Sequence, residues 1–226
     1  MDLSLILRGV VEGDADGTTN GVQAALAEDV PAETILKEAL IPGMEKAGDL
    51  FARGEYFVPE LLFAARAMSR AVDAMRPQLV KGGYEPAGKV VMGTVQGDLH
   101  DIGKKLVSMM LEGCGFEVLD LGTDVAPERF VDVARESGAK LVGLSTLLTT
   151  MLPAMETTVR AIRQAKLANE VRVIVGGAPV TEGYARQIGA DGYAPDASSA
   201  AALARQLMGL PARQSDGVSP PEPMES

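Results

Sequence analysis

The chain has 226 residues, with 31 acidic against 21 basic side chains, a formal net charge of −10, one histidine, one cysteine and no tryptophan. So acidic a protein excludes a nucleic-acid backbone as its main partner, and the shortage of stacking aromatics points the same way. No apolar run reaches the roughly 18 residues a membrane span needs, Met1-Asp2-Leu3-Ser4 lacks the basic region of a secretory signal, and the lone Cys114 forms no internal disulfide, which together lead to an expected place in a reducing cytoplasm.

From Leu3 to about residue 85, apolar residues recur at i, i+3, i+4 spacing, which predicts helices throughout. Leu3, Leu5, Ile6, Leu7, Val10 and Val11 form the first, ended by Gly13-Asp14-Ala15-Asp16-Gly17. Thr18 or Thr19 is placed to cap a second helix through Val22, Ala25 and Leu26. Pro31-Ala32-Glu33-Thr34 opens a third that carries Ile35, Leu36, Leu40, Met44, Ala47 and Phe51, with a kink expected at Pro42. A fourth starts at Val58-Pro59-Glu60 and runs through Leu61, Leu62, Ala65, Met68, Val72 and Met75. Four helices with short connections imply a bundle over residues 1–85, with most of Phe57, Leu61, Leu62, Ala65 and Met68 in its core. Lys81–Gly88, rich in glycine, reads as an exposed hinge.

Residues 89–210 change pattern to alternating strands and helices. The strands are Lys89–Val95, Phe116–Leu121, Leu141–Leu144, Val171–Val175 and Gly192–Ala194. The helices are Ile102–Glu112, Pro127–Ser137, Leu152–Leu167, Thr181–Ile188 and Asp196–Met208. Such β–α alternation predicts an α/β fold, a doubly wound five-stranded parallel sheet of flavodoxin-like order 2-1-3-4-5. Its ligand crevice would lie between the first and third strands, which lead to His100 and Ser145. Residues 211–226, rich in Ser, Pro and Glu, are expected to be a disordered tail.

His100 lies in Gly97-Asp98-Leu99-His100-Asp101-Ile102-Gly103, a loop between an apolar strand and a helical pattern. A neutral imidazole is a good metal ligand, and a carboxylate two residues away can hold its other nitrogen. Taken alone, the loop marks a plausible metal site without deciding it. Neither a G-x-G-x-x-G nor a Walker loop accompanies Gly176-Gly177, so nucleotide binding is weakly supported.

Asp98-Leu99-His100-Asp101-Ile102-Gly103 has the form D-x-H-x-x-G, Ser145-Thr146-Leu147 the form S-x-L, and Gly176-Gly177 follows at a third strand end. In this order they resemble the cobalamin-binding domain of corrinoid proteins, and the wider stretches Gly93–Lys104 and Val175–Thr181 look like the corrinoid subunits of methyltransferase systems. Ile41-Pro42-Gly43-Met44-Glu45-Lys46 and Gly54–Leu61 likewise resemble the helical cap of that family, so the likeness runs from about Leu3 to Leu210.

The resemblance implies cobalamin or a related corrinoid as cofactor, with its own lower base displaced and His100 as the metal ligand to cobalt. Asp98 would be the partner of His100, and Gly103 would let the macrocycle approach. Asp101, Ile102, Ser145, Leu147, Gly176 and Gly177 would line the cofactor and its tail, with Gly192 and Tyr193 at the far end. The turn from Phe57 to Leu62 is the choice for the residues above the cobalt–methyl bond. Where methionine synthase has a further serine, six residues after the S-x-L serine, this chain has Met151, which leaves Thr149 or Thr150 to complete the hydrogen-bond relay.

The implied activity is that of a methyl carrier rather than a complete enzyme. One partner, a substrate:corrinoid methyltransferase, would load the cobalt to give methylcobalamin; another, a corrinoid:tetrahydrofolate or thiol methyltransferase, would unload it. A reductive activase would repair oxidised cobalt. Two other readings share the motifs. A cobalamin-dependent sensor or regulator places a tryptophan over the cobalt, and this chain has none. The cobalamin subunit of a mutase lacks the methyltransferase-type cap.

Overall fold

The computed structural model describes residues 2–167 and 170–210, so the tail expected at 211–226 lies outside the described residues. Helix α1 spans Ser4–Glu12 and stops where Gly13 turns left-handed at φ 72°, a conformation glycine adopts without a side-chain clash. Helix α2, Ala15–Ala27, starts earlier than the threonines suggest: Asp14 is the cap and accepts from the Gly17 amide at 2.9 Å. Thr18 is instead buried inside the helix, its hydroxyl bonded to the Asp14 carbonyl at 2.6 Å.

The third helix runs continuously in three parts, α3 (Ala32–Ile35), a π-turn (Leu36–Leu40) and α4 (Ile41–Ala52). Pro42 has no amide to donate and its ring crowds the turn before it, and the backbone widens into the π-turn directly ahead of it. Helix α5, Val58–Lys81, opens with the Glu60 carboxylate accepting from the Phe57 amide at 3.0 Å and continues past Met75 through Pro77. Leu61, Ala65 and Met68 enter the bundle core, whereas Phe57 and Leu62 face solvent.

Beyond it, strands β1 (Lys89–Thr94), β2 (Glu117–Asp120), β3 (Leu141–Ser145), β4 (Arg172–Gly176) and β5 (Gly192–Ala194) form an all-parallel sheet in the order β2-β1-β3-β4-β5. This is the expected order, with strand ends shifted by a residue or two. Helices α6 (Ile102–Gly113), α7 (Pro127–Ser137), α8 (Leu152–Ile162), α9 (Glu182–Gln187) and α10 (Ala197–Leu207) follow the strands in turn. The helix expected to reach Leu167 passes into a π-turn, Arg163–Leu167, after Ile162.

Side chains alternate across a strand, so the register sorts the sheet into two faces. Met92, Gly143, Ile174 and Gly192 are paired in one row, and Thr94, Ser145, Gly176 and Ala194 in the row two residues nearer the strand ends. Both rows share the face on which Met92 and Ile174 pack with α6 and α10. Val91, Val142, Val173 and Val175 point the other way, into a second core with Phe130 of α7 and Met155 and Val159 of α8.

The helical bundle joins the first face without a break. Met44 of α4 fills the space over Gly113 of α6, and Met110 of α6 reaches to Gly48 of α4. Tyr84 packs on this same core, and the Ala87 amide donates to the Gly115 carbonyl at 2.9 Å. Within Lys81–Gly88, Gly82 and Gly83 are exposed but close the end of α5, their amides donating to the Gln78 and Val80 carbonyls, while Tyr84 and Ala87 are half-buried against the core. Among the described residues no helix is long and apolar enough to cross a membrane.

Candidate functional site

The loop after β1 is built around one carboxylate. The Asp98 side chain is fully buried and its two oxygens receive four donors. Oδ1 accepts from the His100 ring Nδ1 at 2.6 Å and the His100 amide at 3.0 Å; Oδ2 accepts from the Thr146 hydroxyl at 2.6 Å and the Leu147 amide at 2.7 Å. Burial by itself would raise the carboxyl's pKa, but the Thr146 hydroxyl, the two amides and the ring together hold it far below the usual carboxylate range. Asp98 is thus an anion at any physiological pH, and the proton between it and the ring belongs to Nδ1. Nε2 is the ring nitrogen that Asp98 does not engage, on a side chain half exposed to solvent. The Thr94 hydroxyl adds a bond to the His100 carbonyl at 2.9 Å.

The motifs did not point to Thr146, whose hydroxyl bonds the Asp98 carboxylate. The relay hydroxyl was sought at Thr149 or Thr150, which are exposed on a 3₁₀ turn, Thr149–Met151. Met151 packs its sulfur over Gly97. Thr146 stands inside the motif between Ser145 and Leu147, and parallel pairing of Thr94 with Ser145 brings it beside the loop after β1. That pairing is the signal that would have found it.

Beside the imidazole opens a largely apolar cavity of about 650 Å³. Its mouth carries His100, Asp101, Ile102, Gly103 and Leu147; its walls include Ser145, Gly176, Gly177 and the first turn of α10; Met92, Gly143 and Ile174 lie one sheet row deeper. Asp98 stands behind the histidine and outside the lining. Thr149, Gly192 and Tyr193, expected at the cofactor, are not brought to the cavity. Gly192 faces the correct side of the sheet but Leu203 of α10 fills the space over it, and Tyr193 points to the opposite core. Ala194, Pro195 and Asp196 take that end instead.

The glycines differ in kind. A Cβ at Gly103 would meet nothing within 4 Å, so this residue leaves open space at the cavity mouth. Gly177, which lines the cavity, has φ 120°, and a Cβ there would strike the Thr146 carbonyl, so its smallness also serves close packing of two strand ends. The helical bundle contributes Phe51, the last turn of α4, to the lining. The turn chosen for the upper face does not line the cavity, but it presents Phe57, Val58 and Leu62 to solvent beside the exposed Phe63. Leu99, Ile102 and Leu147 at the cavity mouth are also exposed. Lys104, buried in the cavity wall, is satisfied by an ion pair to both carboxylate oxygens of Asp120 at the end of β2.

This arrangement defines a class: a doubly wound α/β protein offering one oriented imidazole at the mouth of an apolar cavity. Among the described residues no three His, Cys, Asp or Glu side chains lie together as a metal cage. A metal here must bring most of its own ligands, as cobalt does in a corrin ring, and the open space at Gly103 and the apolar walls suit such a flat, largely apolar group.

The comparisons agree. A B12 binding domain model matches residues 88–202, and a second B12 binding domain model matches residues 4–76. The chain is 41% identical over 199 residues to dimethylamine corrinoid protein 3 of Methanosarcina acetivorans, covering 88% of this chain and 93% of that one. It superposes on a cobalamin-binding protein of Desulfitobacterium hafniense with a TM-score of 0.78 at 35% identity, covering 91% and 98% of the two chains. The methanol:cobalamin methyltransferase complex of Methanosarcina barkeri gives a TM-score of 0.81 at 25% identity, covering 92% of this chain and 79% of that one. The chain belongs to the B12-binding corrinoid proteins, and its cofactor is a cobalamin or related corrinoid.

Proposed function

We propose that this protein carries a methyl group on a corrinoid bound with its lower base displaced and with His100 Nε2 as the lower ligand of cobalt. The observation that carries the reading is the Asp98–His100 pair: a buried carboxylate 2.6 Å from Nδ1 holds the proton there and presents the opposite nitrogen beside the cavity. The bound corrinoid supplies a cobalt that accepts a methyl group and gives it up again. The chain's own residues hold and orient: Gly103, Ile102 and Leu147 offer the surface for the macrocycle, and Ser145, Gly176 and the deeper row receive its tail. Residues 1–85 act as a cap whose exposed Phe57–Leu62 turn, with Phe51, keeps water from the reactive face.

No catalytic barrel is present among the described residues, so the transfers need partners: a substrate:corrinoid methyltransferase, a corrinoid:tetrahydrofolate or thiol methyltransferase, and a reductive activase. Relatives named for dimethylamine favour a methylated amine as donor. The test is reconstitution with cobalamin and cobalt(II) electron paramagnetic resonance. Nitrogen coupling from ¹⁵N-labelled His100, lost in His100→Ala with most of the cofactor retained, is the expected result. Coupling that survives the substitution overturns the ligand assignment.

A further inference from the structure

The His100 loop is braced from outside by a residue that touches neither histidine nor cavity. Asp124, in the loop between β2 and α7, lies 27 positions from Gly97 in sequence. Its Oδ1 accepts from the Gly97 amide at 2.7 Å, and its own amide donates to the Asp98 carbonyl at 2.9 Å. One residue thereby grips both sides of the 97–98 segment. The next residue continues the grip: the Val125 amide donates to the Thr94 carbonyl at 3.1 Å, and Val125 bridges Val95.

The local backbone is unusual on both sides of this bond. Asp124 is left-handed at φ 54°, a conformation that glycine, asparagine and aspartate adopt more readily than other residues. Gly97 is left-handed too, at φ 86°, with the Met151 sulfur against its other flank. The segment is thus clamped between a hydrogen bond on one side and a packed thioether on the other. Asp98 is also fixed through its amide to the Val95 carbonyl at 3.1 Å. Backbone and carboxylate are therefore both hydrogen-bonded in place, whereas the His100 ring is half exposed and bound to protein through Nδ1.

We infer that Asp124 is a positioning residue for His100: by bracing the 97–98 segment it fixes the Asp98 carboxylate that orients the imidazole. The inference rests on the reading of His100 as ligand, and the experiment separates the two. His100 is the single histidine, so its ring signals in proton and ¹⁵N NMR need no assignment. The full-length chain is compared without corrinoid as wild type, Asp124→Gly, Asp124→Ser and Asp124→Asn.

Asp124→Gly keeps the left-handed backbone and loses the acceptor; Asp124→Asn keeps both. Loss of the Gly97 amide's protection from exchange reports that the bond is gone. The expected result is that His100 Nδ1–H exchange then quickens about three- to tenfold, the range one modest hydrogen bond commands, while Asp124→Asn stays at the wild-type rate. If Asp124→Gly does not fold, Asp124→Ser, whose side chain is too short to reach, carries the same comparison. Unchanged Nδ1–H exchange with Gly97 unprotected overturns the proposal, as does failure of Asp124→Asn to restore the rate. Reconstitution with cobalamin is the independent arm: wild type without nitrogen coupling at cobalt(II) refutes the ligand reading, whatever the NMR shows of Asp124.

Discussion

The Thr146 hydroxyl lies 2.6 Å from Asp98 Oδ2, on the side of the carboxylate opposite His100. Two strand ends therefore meet on one buried anion, and each supplies half of its donors. Thr146→Val keeps the shape of the side chain and removes the bond, leaving Oδ2 with the Leu147 amide alone. The expected cost is about 1–3 kcal/mol of stability, read by denaturant unfolding, with Thr146→Ser close to wild type. Equal stability of the valine and serine variants would show that the hydroxyl is dispensable.

Most of the architecture was legible because hydrophobic alternation and the order of turn residues report directly on backbone. The five strands, their parallel order and the D-x-H-x-x-G loop all follow from such local patterns. What escaped depended on contacts between distant segments. Thr146 reaches Asp98 across 48 positions, and Lys104, in sequence an ordinary helix-surface lysine, is buried because Asp120 waits at the end of a neighbouring strand. Gly192 and Tyr193 were misplaced for a different reason. Which face a residue takes depends on exact register, and whether a facing glycine leaves a void depends on Leu203, eleven positions further along the chain. The cap of α2 was expected at Thr18 or Thr19 and lies at Asp14 instead, because Thr18 is buried against Gly9 inside the helix.

Asp191 gives the fold a defined acid sensitivity away from the cavity. It accepts from Arg163 at 2.6 Å, from the Val173 amide at 2.6 Å and from Arg172 at 3.2 Å. Burial pushes its pKa up, but Arg163, the Val173 amide and Arg172 outweigh that and lower it. A lowered native value means the unfolded chain binds the extra proton first. The stabilisation is therefore complete above the ordinary carboxylate value of about 3.9 and is lost as pH falls below it toward the native value. Asp191→Asn should lose roughly 2–4 kcal/mol near neutrality and show a flatter stability profile below about pH 4. A profile parallel to wild type in that range would remove Asp191 from the acid response.

The bundle and the sheet share an apolar core, with Met44 of α4 seated over Gly113 of α6. Because their contact is packed rather than merely touching, heat should melt both parts in one calorimetric transition. Met44→Ala opens a cavity at the seam and is expected to cost about 2–5 kcal/mol. Two well-separated transitions in the unaltered protein would show the halves to be energetically independent.

Gly103 offers the cleanest way to ask whether the cavity mouth is the corrinoid's seat. The alternative, a bulky residue at Gly177, answers nothing, since any Cβ there strikes the Thr146 carbonyl from a left-handed backbone and would disturb the strand ends themselves. At Gly103 a Cβ meets no atom within 4 Å, and the position is the second residue of α6, where a side chain is readily tolerated. Gly103→Val should therefore fold with stability within about 1 kcal/mol of wild type. The added methyl groups would stand in the space required by the macrocycle, so affinity for cobalamin should fall at least about tenfold, equivalent to roughly 1.4 kcal/mol. Gly103→Ala should lie between the two. Titration of the corrinoid-free chain by absorbance, with unfolding measured in parallel, separates binding from folding. A valine variant that binds cobalamin as tightly as wild type would place the macrocycle elsewhere than over the start of α6.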